Sequence, residues 1–390
     1  MSKKFLVFIG GMLLIFFLNF YMYEGDQVEK RDLPDDYHVI QPAEKNQQWE
    51  FEEDNNLELM DNFYYNGESI ETDKFLEKTN TEGVLILKDG TTLYENYYND
   101  THEGSLFPSA STNDSILALL LGIAHNEGKL EDVDDKLTDY IPELKNTPYK
   151  KSTVRQALES STGVHWDVSF LENPDEIWRK EENVFDYFLK QRIERIREPS
   201  TKSCHFENSG LILGFLLQEI TEDNFSHFVE EYLWKSMGVE HRSKWPLEAS
   251  GKEVPFNAFK ASLRDYGRIG KLVLEGGQVE DNKILSEDWI ERMTTHNNLP
   301  MSEASRSRFV EEKYWSEVKL GERWFIPRDQ QNDEFLAAIG SGGQYIYINP
   351  ENNFVGVKMG SNEEYAKIDN YRKNINFFRS LVEKSKTVAD

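Results

Sequence analysis

One cysteine, Cys204, stands among 390 residues, which excludes an intramolecular disulfide framework and any multi-cysteine zinc or iron–sulfur centre. Basic residues are scarce beside acidic ones: 44 Lys+Arg against 70 Asp+Glu leave a formal net charge of −26. A sequence-general nucleic-acid binder needs a cationic surface to displace counterions from phosphates, so that class is excluded. The 8 histidines include no His-Glu-x-x-His pairing, which argues against a metal hydrolase. The glycine-rich run Gly340–Gly343 lacks the Gly-Lys-Ser/Thr ending of a phosphate loop. No metal and no cofactor is expected. Repeats of solenoid period and low-complexity tracts are also missing. What is present suffices for a core, since 38% hydrophobic and 13% aromatic residues distinguish this chain from a disordered polyelectrolyte.

The N-terminus carries Lys3 and Lys4, then runs without a charge from Phe5 to Tyr23. A bilayer core needs about 20 helical residues, so this stretch is long enough to span it. The lysines favour a cytoplasmic start at residues 1–4 and place the chain beyond Tyr23 outside the membrane, periplasmic or extracellular. The exit Phe20-Tyr21-Met22-Tyr23 has aromatics where an interfacial belt sits, whereas a cleaved signal ends in small residues. A single-pass signal anchor at 5–23 is therefore expected, with a cleaved signal as the alternative. Residues 24–71 are acidic and poor in aliphatics, with Pro34, Pro42 and the run Glu52-Glu53-Asp54, and read as a solvated stalk. The folded domain is expected over 72–390.

Gly83–Leu87 and Thr92–Tyr98 flank Asp89-Gly90, a strong hairpin signal. A second strand pair reads from Gln344–Ile348 and Phe354–Met359 around the turn Asn349–Asn353. Between these blocks the apolar spacing is helical over Ser115–Glu127, Leu211–Ile220, Phe225–Met237, Ser262–Leu274 and Glu287–Thr294, and a last amphipathic helix covers 366–384. The expected fold class is α/β (α+β): an antiparallel sheet built from both ends of the domain, flanked by helices, with an inserted helical lobe.

The most informative segment is Ser109-Ala110-Ser111-Thr112-Asn113-Asp114-Ser115, followed by the apolar run Ile116–Ala124 and Gly128 as a helix-ending C′ residue. A serine at the start of a buried helix sits beside free N–H groups and the positive end of the dipole, a setting suited to a nucleophile that develops negative charge. Ser111-x-x-Asp114 is equally a capping pattern, in which each side chain satisfies an orphan N–H. The pattern leaves both readings open.

Ser111–Ser115, Leu121-Gly122-Ile123-Ala124, Glu127-Gly128-Lys129-Leu130, Tyr140–Leu144, Thr153–Leu158, Ser161–Trp166, Ser262–Gly270 and Gly340–Tyr345 occur in an order that resembles the serine β-lactamase and penicillin-binding-protein superfamily. The branch it most resembles is that of the class C β-lactamases and 6-aminohexanoate-dimer hydrolases. That resemblance implies a Ser-x-x-Lys nucleophile and base, a Tyr-x-Asn proton shuttle, and a glycine motif supplying an oxyanion-hole N–H. Carried onto this chain, the nucleophile position is Ser111, but the lysine position holds Asp114. The second motif falls at Phe206-Glu207-Asn208, so the tyrosine position holds Phe206, while Asn208 is kept. The third survives as Gly340-Ser341-Gly342, with Gly343 the implied oxyanion amide.

Phe206 has no hydroxyl and can neither take nor give a proton. Asp114 is shorter than lysine and of opposite sign, a poor base for a serine hydroxyl. Losing one core member of such a unit costs on the order of 10⁴ in rate. Lys202 and His205, just before Phe206, are the alternative proton-handling groups, and Cys204 reads as an inert small side chain. The expectation is a membrane-anchored pseudoenzyme whose pocket binds a small-molecule or peptide-like ligand. Two alternatives stand beside it: an active serine amidase or esterase using Ser111 with another base, and a structural partner of an envelope protein.

Overall fold

Asp89 and Gly90 both adopt positive φ, 53° and 83°, the backbone that a tight hairpin turn demands and that Asp-Gly supplies at little cost. The hairpin they close is part of a computed structural model. It describes residues 37–166, 183–203, 209–222, 225–254, 259–295, 299–300, 318–327, 336–340, 342–361 and 368–387.

The strands that matter here are β1 (Tyr37–Ile40), β2 (Glu52–Glu53), β3 (Thr81–Lys88), β4 (Thr91–Tyr97), β5 (Val318–Leu320), β6 (Phe325–Pro327), β7 (Leu336–Ile339), β8 (Tyr345–Asn349) and β9 (Phe354–Gly360). Eight of them form one sheet in the order β5-β6-β7-β8-β9-β3-β4-β2. Only the β2–β4 edge pair is parallel. The junction β9–β3 joins the two ends of the domain, with Val357 opposite Leu85 and Val355 opposite Leu87. The expected sheet assembled from both termini is thus present, within a mixed α/β fold.

Alternation along the central strands builds two cores, because successive side chains leave opposite faces. Val84, Ile86, Tyr345 and Tyr347 face the C-terminal helix, whose Phe377, Phe378 and Leu381 bury against them. Leu85, Leu87, Ile346, Ile348, Val355 and Val357 face the helical lobe. The helices around these cores include α1 (Thr72–Lys78), α2 (Asn113–Asn126), α3 (Ser209–Ile220), α4 (Leu263–Leu274), α5 (Glu287–Thr294) and α6 (Ile368–Ser385). Helix α4 lies against the sheet because Gly267 and Gly270 have no side chain there. A Cβ at Gly270 would stand 2.5 Å from Val355 Cγ1, and one at Gly267 2.6 Å from Leu85 Cδ2. The expected helix over Phe225–Met237 begins as an α-turn at Phe225–Phe228 and continues as a π-helical segment, Val229–Trp234.

The stalk expected at 24–71 is corrected over its described part. β1 pairs antiparallel with Ser243–Pro246, β2 edges the main sheet, and Asn62–Tyr65 forms a hairpin with Glu68–Glu71. Composition misled here, because a few large side chains anchor a charged segment. Phe51 is buried, with the Arg268 guanidinium 4.8 Å from its ring, and Trp49 receives Lys271 Nζ at 3.6 Å from its ring. Arg268 is itself fully buried, held by Asp265 at 3.1 Å and Glu240 at 2.9 Å and donating to Trp49 O. Among the described residues no helix is long and apolar enough to cross a membrane. The expected anchor, Phe5–Tyr23, lies outside the described residues.

Candidate functional site

Ser111 lies in a 3₁₀ turn, Ala110–Thr112, that runs straight into α2. Ala110 has φ 45°, a left-handed conformation that costs an L-residue on the order of 1 kcal/mol or more. The turn is pinned from several sides. Ser109 N donates to Phe259 O at 2.7 Å, Thr112 Oγ1 donates to Ser109 O at 2.6 Å, and a Cβ on Gly340 would come within 3.0 Å of Ser109 O. The end of β7 therefore abuts the Ser111 turn, and the first and third motifs are brought together.

The capping reading of Ser111 and Asp114 is not met. Thr112 is the N-cap of α2, no side chain caps it, and the Asn113 amide already donates to Ala110 O. Because the chain enters the helix already coiled, the first amides have backbone acceptors.

Asp114 takes a different partner. Arg323 Nη1 donates to Asp114 Oδ2 at 3.3 Å, and Arg323 Nη2 donates to Ala157 O at 2.9 Å. The arginine comes from the turn between β5 and β6, at φ 68°. Ser115 Oγ donates to Arg323 O at 2.7 Å, so consecutive side chains of α2 hold both the head and the backbone of this residue. The Arg323 side chain is 2% exposed and that of Asp114 21%. Burial pushes the Asp114 carboxyl above the ordinary carboxylate range, opposed by Arg323. It pushes Arg323 down, opposed by Asp114. A guanidinium keeps its proton in proteins, and its charge favours the ionised Asp114 carboxyl against the burial that opposes it. The Asp114 carboxylate also lies against the first turn of α3, where a Cβ on Gly210 would fall 2.1 Å from Oδ1. Gly210 is thus the residue that leaves room for it.

The cleft beside Ser111 is lined by Ser111, Asp114, Ser160, Arg323, Phe325 and Ile339 among others, and its free volume is about 10 Å³, roughly one water. Ser111 is half-buried. Among the described residues nothing hydrogen-bonds its Oγ, and no base stands at the lysine position. The implied oxyanion donor is turned elsewhere: Gly343 N donates to Gly340 O at 3.3 Å. Gly342 N donates to Gln344 Oε1 at 2.9 Å, and Gly340 N to Gln344 O at 2.8 Å. Phe206, Asn208, Ser341, Cys204 and His205 lie outside the described residues, and Lys202 does not line the cleft.

Sequence reasoning missed Arg323. It is 209 positions from Asp114, on a hairpin turn with no motif, and the one available hint was that a buried carboxylate at position 114 needs a cation. Two His–carboxylate groupings also occur among the described residues, Glu103-Glu240-His241 and His227-Glu230-Glu231. Arg264 approaches Glu103 and Glu240 in the first, and Lys235 pairs with Glu230 and Glu231 in the second.

Comparison with known proteins gives a family model, described as Beta-lactamase, that matches residues 72–374. A 6-aminohexanoate-dimer hydrolase of Paenarthrobacter ureafaciens is 20% identical over 299 residues, covering 73% of this chain and 74% of that one. Among solved structures, a Bacillus anthracis protein provisionally named 6-aminohexanoate-dimer hydrolase superposes with TM-score 0.75 at 19% identity, covering 90% of this chain and 91% of that one. The octameric penicillin-binding protein homologue of Pyrococcus abyssi gives TM-score 0.57 at 15% identity over 76% of this chain and 74% of that one.

Proposed function

Because this chain belongs to the β-lactamase family, the state of its serine site decides what it does, and we propose that it is a member with impaired hydrolysis that works by binding. The observation that carries this reading is the Asp114–Arg323 ion pair at 3.3 Å. The position where the resemblance implies a lysine base holds a carboxylate whose Oδ2 is engaged by a guanidinium, and a guanidinium cannot take the Ser111 proton. The expected loss of the tyrosine hydroxyl at Phe206 points the same way. The protein we propose is tethered outside the cytoplasmic membrane by Phe5–Tyr23, and its Ser111 cleft receives a small-molecule or peptide-like ligand or seats an envelope partner. A cleft holding about one water in its present state must open for a ligand, and the turn carrying Arg323 is the element whose displacement would open it.

The test uses the full chain in detergent micelles with an activated ester, a chromogenic β-lactam and a serine-reactive fluorophosphonate, beside Ser111→Ala. The expected result is turnover and labelling no greater than in Ser111→Ala. Turnover that disappears in Ser111→Ala would establish an active hydrolase instead and refute the impairment.

A further inference from the structure

The acidity of the whole chain hides one cleft of the opposite sign. Two 3₁₀ turns, Pro142–Asn146 and Pro148–Lys151, fold with Leu144 and Tyr149 fully buried, which leaves Lys145, Lys150 and Lys151 exposed around them. Thr147 links the turns, its hydroxyl donating to Leu144 O at 2.9 Å and accepting from Tyr149 N at 3.2 Å. Arg195 reaches in from the strand Ile193–Arg195 and is fixed by oxygens. Nη1 donates to Thr162 O at 2.7 Å, and Nη2 donates to Pro148 O at 2.5 Å and Ser152 Oγ at 3.4 Å. Residues 145–148, Lys150, Lys151 and Arg195 line a cleft of about 570 Å³, within the range of small-ligand sites. It shares no lining residue with the Ser111 cleft.

Its charge is what sets it apart. Acidic residues outnumber basic ones 70 to 44 in this chain, yet among the described residues the cleft has four cations in its lining and no carboxylate. Some lysines elsewhere on the surface are paired, as Lys74 is with Glu71 and Lys386 with Glu383, each at 2.6 Å. Lys145, Lys150 and Lys151 have no ion-pair partner among the described residues. Three strongly hydrated ammonium groups repelling one another beside an anchored guanidinium gain most from an anion that several of them can share. The side chains of Asn146 and Thr147 add neutral hydrogen-bonding groups at the same rim.

We propose that this cleft is a binding site for a phosphate-bearing ligand, with Lys145, Lys150 and Lys151 contacting the phosphate oxygens and Arg195 fixing the wall. Phosphate offers several anionic acceptors in one compact group, which matches converging ammonium donors better than a single carboxylate does. The proposal is independent of the Ser111 reading, because the two clefts have separate walls.

Isothermal titration of the full chain in detergent would use three probes: inorganic phosphate, glycerol 3-phosphate, and dihexanoyl phosphatidylglycerol below its micelle concentration. The Lys145→Gln/Lys150→Gln/Lys151→Gln variant and a Lys74→Gln/Lys386→Gln control are titrated alongside, with thermal midpoints checking that both stay folded. Saturable binding of at least one probe is expected, weakened by added salt. It should fall by at least about tenfold in the triple variant, the loss of a single charge-assisted contact being enough for that, and stay unchanged in the control. Binding by glycerol 3-phosphate identifies a free phosphate ester, and binding by the phosphatidylglycerol alone identifies a lipid headgroup. No saturable binding with any probe, or equal binding by the triple variant, overturns the proposal.

Discussion

The Asp114–Arg323 pair is the feature on which the functional reading turns, and its coupling energy can be measured. At 3.3 Å two unit charges attract by about 5 kcal/mol for an effective dielectric near 20. Desolvation of a guanidinium that is 2% exposed consumes part of that attraction, so a net coupling of about 2–3 kcal/mol is the expected remainder. Arg323→Met leaves a carboxylate beside Gly210 with no cation among the described residues, and Asp114→Asn leaves a buried guanidinium with neutral acceptors but no anion. Each single change should cost about 3 kcal/mol of stability, since removing one partner of a buried pair exposes the full desolvation cost of the other. The double variant should cost about 3–4 kcal/mol, well short of the sum. Urea denaturation of the four proteins closes the cycle. A coupling below about 0.5 kcal/mol, the level of independent sites, would refute the claim that these residues act as one unit, and with it the argument that Asp114 is unavailable for chemistry.

Reversal of the site should need three changes rather than two. In Asp114→Lys/Phe206→Tyr the new ammonium would meet Arg323, so esterase activity should remain at background. Adding Arg323→Gly, which suits φ 68°, should raise it measurably above the double variant in a chromogenic ester assay. Lys358 is fully buried in the sheet, with no hydrogen-bond partner for Nζ among the described residues, and burial pushes its amine down to about 7. Below pH 7 the folded state must carry a buried ammonium, and between pH 7 and about 10 the unfolded chain binds the extra proton. Stability should therefore rise by about 2 kcal/mol from pH 7 to pH 9, and Lys358→Met should flatten that rise in denaturant titrations at the two pH values. A chain starting at residue 72, where the family match begins, loses the Trp49 O acceptor and Phe51 ring from Arg268 and the Glu53 partner of Arg264. Limited proteolysis should degrade it far faster than a chain starting at residue 37, and equal resistance would restore the stalk reading.

Much of the scaffold was legible because it rests on local physics. Asp89-Gly90 specifies a turn by its backbone tolerance, and Ile116–Ala124 specifies a buried helix by an apolar face that wraps its circumference. Gly128, at φ 69°, ends that helix as its position implied. The segment at 37–71 was misread for an equally physical reason. Glu52, Glu53 and Asp54 dominate its composition, while its fold depends on Trp49 and Phe51 meeting Lys271 and Arg268, more than 200 positions away. Sequence order along the chain carries no record of that encounter.

The same division runs through the site. By itself the sequence determined that Ser111 precedes a buried helix, that the residue three positions on is an acid, and that only one cysteine is available. Those are facts of identity and spacing, fixed by helical periodicity. Only the tertiary structure decided what Asp114 does, because its partner arrives on a turn between two distant strands and is held there by Ser115. It also decided that the Gly343 amide bends back to Gly340 O and that four cations line one cleft in an acidic protein. Electrostatic partners are chosen by distance in space, and that distance is set by the packing of the sheet against the lobe.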